Sequence, residues 1–248
     1  RASLALKFRN VKLFTAANPA ILAGGFVGES KCAMLRGLTG AGDYVARSRL
    51  LDGASSPAEK VDKARQFIAE ESLTFPVVLK PNQGQRGSGV VVVRSLEALG
   101  HYLAHSTVDT IIQEHVPGPE FGVFYYRYPS ESSGHIFSVT EKRFPSVVGD
   151  GKRTLEELIL GDDRAVCAAR FYCDRHRNRL SAIPKAGASF PLVELGTHCR
   201  GAMFLDGNWI LTAALEERFE AIAREYRGFY FGRFDVRVGG RRAPGWGL

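Results

Sequence analysis

The stretch Phe75-Pro76-Val77-Val78-Leu79-Lys80-Pro81-Asn82-Gln83-Gly84-Gln85-Arg86-Gly87-Ser88-Gly89-Val90-Val91-Val92-Val93 restricts what this chain can become more than any other. Two β-branched apolar runs flank a loop rich in glycine, and a lysine closes the first run. The runs predict the two strands of a hairpin. Glycines without a Cβ let backbone N–H groups approach an anion closely. Lys80 at a strand end adds a full positive charge beside that loop, so the pattern describes a clamp for a polyphosphate such as ATP. It is not a P-loop, whose lysine follows the glycines and opens a helix. Nor is it a dinucleotide fingerprint, which needs a helix after the loop. An ordinary glycine-rich hairpin with an exposed lysine also fits these residues taken alone.

The remaining chain reads as mixed strands and helices. Glu29 to Leu38 predicts a short helix. Ser56-Pro57 opens another, with Val61, Ala64, Phe67, Ile68 and Leu73 as its apolar stripe. Ser95 caps a helix to about Ala104, and Thr110 to His115 predicts a buried strand. Glu120 to Tyr128 and His135 to Phe144 predict two more strands joined by a turn. Thr154-Leu155-Glu156-Glu157 is a capping box, and Arg164 to Asp174 predicts the next helix. Pro191 to Phe204 reads as strand and loop, Leu215 to Tyr226 as an amphipathic helix, and Gly228 to Val238 as the last strand. Consecutive strand pairs favour an α+β fold with mainly antiparallel sheets over a doubly wound one.

At 248 residues the chain is long enough for one large domain or two small ones. The net charge of +7 suits a protein that handles phosphates. Basic clusters such as Arg175-His176-Arg177-Asn178-Arg179 are short and lack interleaved aromatics, which argues against nucleic acid. No apolar run approaches the ~20 residues of a membrane span. The cysteines form no Cys-x-x-Cys, and the expected compartment is the cytoplasm. The first residue is Arg1, so a fragment or processed product is expected. Cys173 with His176, and His198 with Cys199, miss zinc spacing, and no Gly-x-Ser-x-Gly elbow is present.

A second block is Ile111-Ile112-Gln113-Glu114-His115-Val116-Pro117-Gly118-Pro119-Glu120. A strand edge leads into a Pro/Gly turn and then a carboxylate, a pattern suited to an adenine edge and a ribose. With this block in register behind the glycine loop, the chain resembles an ATP-grasp enzyme. The resemblance implies an ATP-grasp fold of two α+β subdomains, with ATP held between mainly antiparallel sheets. It places the ATP-grasp domain at residues 55–238, after a shortened leading segment of residues 1–54 and before an irregular tail at 239–248. It also implies roles. Lys80 would bind the α- and β-phosphates, and Gly84, Arg86, Gly87, Ser88 and Gly89 would close over the β- and γ-phosphates. Gln113 and the backbone of Glu114 would meet the adenine amino group, the Val116 N–H a ring nitrogen, and Glu120 the ribose.

A third block, Glu141 to Leu155, resembles the ATP-grasp domains of cyanophycin-synthetase-like and related carboxylate–amine ligases, and the chain as a whole also resembles the D-alanine–D-alanine-ligase-like group. Lys142 and Arg143 at its strand end could neutralise the transferred phosphoryl group or bind a carboxylate, arginine being favoured by its bidentate fork. Asp150 reads as a turn former. The fourth block, Gly228 to Arg237, resembles the strand that carries an arginine and a metal-binding aspartate. There Arg233 would stabilise an oxyanion, and Asp235 would bind Mg2+. A period of two sets Arg233, Asp235 and Arg237 on one face. The Glu-x-Asn that normally completes the metal site does not follow Asp235 in this sequence. His198 and Arg200 fall where related ligases carry acceptor loops.

The resemblance implies an ATP-dependent ligase that joins a small-molecule carboxylate to an amine through an acylphosphate, with ATP and Mg2+ as cofactors and no nucleic-acid or membrane partner. A small-molecule kinase on the same scaffold, or a nucleotide-binding module without catalysis, is the alternative. The identities of the acid and amine, and the oligomeric state, are not encoded in any motif found here.

Overall fold

Short-range signals set the elements, and a computed structural model describes them for residues 6–10, 12–25, 28–84, 87–194 and 201–238. The chain divides into two units, one of residues 1–140 and 206–248, the other of residues 141–205.

In the first unit, Ser30 caps helix α1 (Lys31–Gly37), and strand β1 (Ser48–Leu51) follows. Ser56 caps α2 (Pro57–Glu70) as predicted, with proline in its first turn, and Glu59 completes a capping box that the sequence reading did not identify. Strands β2 (Val77–Pro81) and β3 (Val91–Val93) form the predicted hairpin, Val77 opposite Val93 and Leu79 opposite Val91. Ser95 caps α3 (Leu96–His105), and β4 (Thr110–Glu114) completes a sheet of order β1-β4-β2-β3. Alternation sends Val77, Leu79 and Ile112 to one face, where Ala64 and Phe67 of α2 and Leu99 and Leu103 of α3 cover them. Burying each large apolar side chain there is worth about 1.5–3 kcal/mol.

β5 (Glu120–Tyr126) and β6 (His135–Arg143) come next, the latter running on into the second unit. That unit holds β7 (Ser146–Val148), α4 (Leu155–Leu160), α5 (Ala169–Arg175) and β8 (Ser189–Pro191), with β7 and β8 antiparallel. Its core gathers Val147, Leu155, Ile159, Tyr172 and Leu192. The capping box at Thr154 and Glu157 is present as predicted. The helix expected from Arg164 opens as a 3-10 turn at Ala165–Ala168, started by the Asp162 side chain accepting from the N–H groups of Arg164 and Ala165. It becomes α-helical only at Ala169, because Ala168 at φ −127° interrupts the ladder.

β9 (Met203–Asp206), α6 (Ala213–Glu225) and β10 (Phe231–Arg237) complete the sheet of order β10-β5-β6-β9. Phe121, Val123 and Tyr125 of β5 pack with Leu215, Phe219 and Ala223 of α6. Among the described residues no helix is long and apolar enough to cross a membrane. The antiparallel pairings agree with the expected α+β class.

Candidate functional site

The loop between β2 and β3 turns on glycines in the left-handed region: Gly84 has φ 146°, Gly87 φ 70° and Gly89 φ 70°. A Cβ on Gly89 would come within 2.7 Å of the Pro81 ring. Tyr102 of α3 donates to the Gly89 carbonyl at 2.7 Å, so the far side of the loop is tethered. The near side is tethered by α1. Lys31 Nζ donates to the Gly84 carbonyl at 2.9 Å, and buried Asn82 accepts from Ser30 Oγ and the Cys32 N–H, each at 3.0 Å. Ser88 is exposed in the turn, and Arg86 lies outside the described residues. Gly89→Ala combines steric overlap with a disfavoured φ. It should cost about 1–2 kcal/mol in stability, measured as a shifted urea midpoint; an unshifted midpoint would show that the loop does not hold this conformation.

Lys80 leaves the sheet on the face opposite to α2 and α3. It stands opposite Ile111, and Val78 stands opposite Gln113, so Lys80 and Gln113 project from the same face. Burial, and secondarily the charge of Lys31, pushes the Lys80 ammonium down from 10.5 to about 8. A cation held partly out of water beside a glycine loop is prepared for an anion. Glu114 points to the other face, where its carboxylate receives Arg47 Nε and a terminal Arg47 nitrogen, both at 2.9 Å. Its backbone N–H goes to the Arg47 carbonyl. Arg47 also donates to the Glu71 carbonyl, and its charge is raised in stability by Glu114.

The linker after β4 is held by Arg237 of β10. Arg237 donates to the Val116 carbonyl at 3.1 Å and to the Glu120 carboxylate at 3.1 and 3.3 Å. Glu120 and Arg237 are register partners and both largely buried. The two expected nucleotide contacts, Val116 and Glu120, are thus organised by one arginine whose role the sequence reading did not identify. The usable signal was the antiparallel register, which no local pattern contains.

On the same face of β5 and β10, Asp235 stands opposite Gly122 and Arg233 opposite Phe124. Arg233 and Asp235 are paired at 3.0 Å, each half-exposed. The Arg233 side chain lies across Gly122, where a Cβ would come 3.0 Å from its Cδ. Among the described residues no group of three His, Cys, Asp or Glu is placed to hold a metal ion. Mg2+ is commonly bound by one or two carboxylates plus substrate phosphates, so a single Asp235 is compatible with such a site once a triphosphate is present.

Lys142 and Arg143 belong at the start of the second unit. Lys142 is buried, while Arg143 is exposed and paired with Glu141 at 2.7 Å. Glu141 raises the charge stability of that guanidinium. Asp150 is a turn former as read: it accepts from the N–H groups of Lys152 and Arg153 and from Arg153 Nε, which hold its carboxyl well below the usual range. His198 and Arg200 lie outside the described residues.

Residues 43–120, which carry the glycine loop, β4 and the linker, match the RimK-like ATP-grasp domain family. No curated protein matches the chain in sequence. D-alanyl-alanine synthetase A from Vibrio cholerae O1 biovar eltor is similar in structure with a TM-score of 0.51 at 12% identity, covering 87% of this chain and 52% of that one. The VanG D-Ala:D-Ser ligase from Enterococcus faecalis aligns with a TM-score of 0.47 at 16% identity, over 84% of this chain and 48% of that one. A bifunctional glutathione synthetase from Pasteurella multocida aligns with a TM-score of 0.41 at 17% identity, over 86% and 30%. The chain spans about half, or less, of the length of these structures.

Proposed function

We propose, from the premise that this chain has the ATP-grasp fold, that it binds ATP and uses it to join a carboxylate to an amine. The observation that carries the reading is the Lys80 ammonium, held partly out of water beside the glycine loop and on the same sheet face as Gln113. In this reading Lys80 binds the α- and β-phosphates. The backbone of Gly84, Gly87, Ser88 and Gly89, with Arg86, closes over the β- and γ-phosphates. Gln113, the backbone of Glu114 and Val116 meet the adenine, and Glu120, oriented by Arg237, meets the ribose.

The chemistry is phosphoryl transfer followed by acyl transfer. A substrate carboxylate oxygen attacks the γ-phosphorus, the bond to the β,γ-bridging oxygen breaks, and ADP leaves. The amine nitrogen then attacks the acylphosphate carbonyl carbon, loses a proton, and expels phosphate to leave the amide. Arg233 would offset charge on the tetrahedral oxyanion, with Lys142 and Arg143 as candidates for the transferred phosphoryl group or the carboxylate. Asp235 is the ligand this chain would offer to Mg2+, which neutralises phosphate charge when bound.

The test is calorimetric titration with ATP, followed by phosphate release in the presence of carboxylic acids and amines. ATP should bind saturably, and release should need both an acid and an amine. Release with the acid alone and no amide product would instead favour a kinase. Asp235→Asn should leave ATP affinity in the absence of Mg2+ within about threefold while lowering Mg2+-dependent turnover by more than about a hundredfold. Equal turnover in the variant would remove Asp235 from the site.

A further inference from the structure

The face of β5 and β10 that carries Arg233 and Asp235 continues into an aromatic pocket that the proposed roles do not use. In register along the two strands stand Glu120 with Arg237, Gly122 with Asp235, Phe124 with Arg233, and Tyr126 with Phe231. Two residues along a strand is about 7 Å, so Phe231 stands one step beyond Arg233. Phe124 packs edge-on against Phe231 at 4.9 Å and against Phe137 at 6.0 Å. These rings, with Tyr126 and Tyr230, line a cavity of about 980 Å³, near the upper end of the range for small-molecule sites. Phe137 is 73% exposed and Phe231 49% exposed, a large apolar area to leave in water.

One charged residue stands in this lining. Arg127 lines the cavity with its guanidinium over the Tyr230 ring at 4.9 Å. One terminal guanidinium nitrogen donates to the Phe229 carbonyl at 3.5 Å, a long contact that leaves most of its donor capacity unused. A guanidinium flanked by rings is best matched by an anionic oxygen. Aromatic walls around one guanidinium select a molecule with an apolar, ring-sized body and an acidic group.

We propose that this pocket binds the apolar body of an aryl-substituted carboxylic acid, with Arg127 meeting an anionic oxygen. That the occupant is a substrate of the ligase rests on the reading above; that the pocket binds such an acid does not. The continuity of the aromatic rows with Arg233 and Asp235 places the occupant next to the proposed phosphoryl-transfer end.

The experiment titrates 3-phenylpropionate and its neutral amide into the full chain by calorimetry, with ATP binding measured on the same sample. The acid should bind saturably. Phe137→Ser, at an exposed position that leaves the core intact, should weaken both ligands about tenfold. Arg127→Gln should weaken the acid about tenfold and leave the amide within about twofold. Absence of saturable acid binding to protein that binds ATP would overturn the pocket and leave the ligase reading standing. Acid binding without ATP binding would support the pocket and sink the ligase reading. Unchanged acid affinity in Phe137→Ser, or self-association that Phe137→Ser abolishes without any acid binding, would also overturn the proposal.

Discussion

Lys80→Met is expected to lower ATP affinity by about a hundredfold while making the ligand-free protein more stable. Charge-assisted hydrogen bonds to phosphate contribute about 1.5–3 kcal/mol each, and the variant loses them with the ammonium. Methionine keeps the length and flexibility of the side chain without the charge. The stability gain follows from the ammonium being pushed from 10.5 to about 8, chiefly by burial. At about 1.4 kcal/mol per pH unit this is at most about 3 kcal/mol of penalty that methionine removes. The sign follows from proton counting. The folded chain gives up the Lys80 proton near pH 8 and the unfolded chain near 10.5, so the unfolded state binds more protons between them. The penalty is fully present below about pH 8 and disappears as pH rises to about 10.5, so wild-type stability rises across that window relative to the variant. ATP affinity of the wild type should fall over the same rise, as the neutral amine replaces the ammonium. Denaturant titrations and ATP calorimetry at about pH 7 and about pH 9.5 measure both effects. A variant that is less stable than wild type at neutral pH, or that binds ATP equally well, would contradict this placement of the charge.

Asn18→Ala is expected to destabilise the protein by about 3 kcal/mol, seen as a fall in Tm of roughly 6–12 °C. Asn18 is 3% exposed. Its Nδ2 donates to the carbonyls of Phe231 at 2.7 Å and Gly24 at 3.1 Å, and its Oδ1 accepts from the N–H groups of Tyr230 at 2.8 Å and Phe231 at 3.0 Å. The side-chain amide takes both backbone groups of Phe231, as a neighbouring strand would, at the free edge of β10. Alanine leaves these partially buried groups without partners, which is the costly direction for a polar deletion. Asn18→Asp sets a buried carboxylate oxygen against the carbonyls of Phe231 and Gly24, so at neutral pH it should destabilise at least as much as alanine. A change of under about 0.5 kcal/mol for alanine would mean that water replaces the amide at no cost.

Much of the architecture was legible locally. The hairpin around the glycine loop, the caps at Ser56, Ser95 and Thr154, and the apolar stripe of α2 all appear as read. The same holds for Asp150, whose turn is made within three residues. Other features could not be read this way. Arg47 and Glu114 are 67 positions apart, Arg237 and Glu120 are 117 apart, and Asn18 and Phe231 are 213 apart. The anchoring of the glycine loop by Lys31 and Asn82 was equally hidden, because a short capped helix gives no sign of what it docks against.

What the amino-acid order determined by itself was which segments become strand, helix or glycine loop, and that a lysine stands at the loop's edge. Periodicity, capping and the absence of a Cβ act within a few residues and need no partner. Tertiary structure alone decided that Arg237 organises the linker after β4, that Asn18 serves as a strand for β10, and that burial beside Lys31 pushes Lys80 down to about 8. Register and burial are properties of chain segments brought together from far apart, and no local sequence pattern records them.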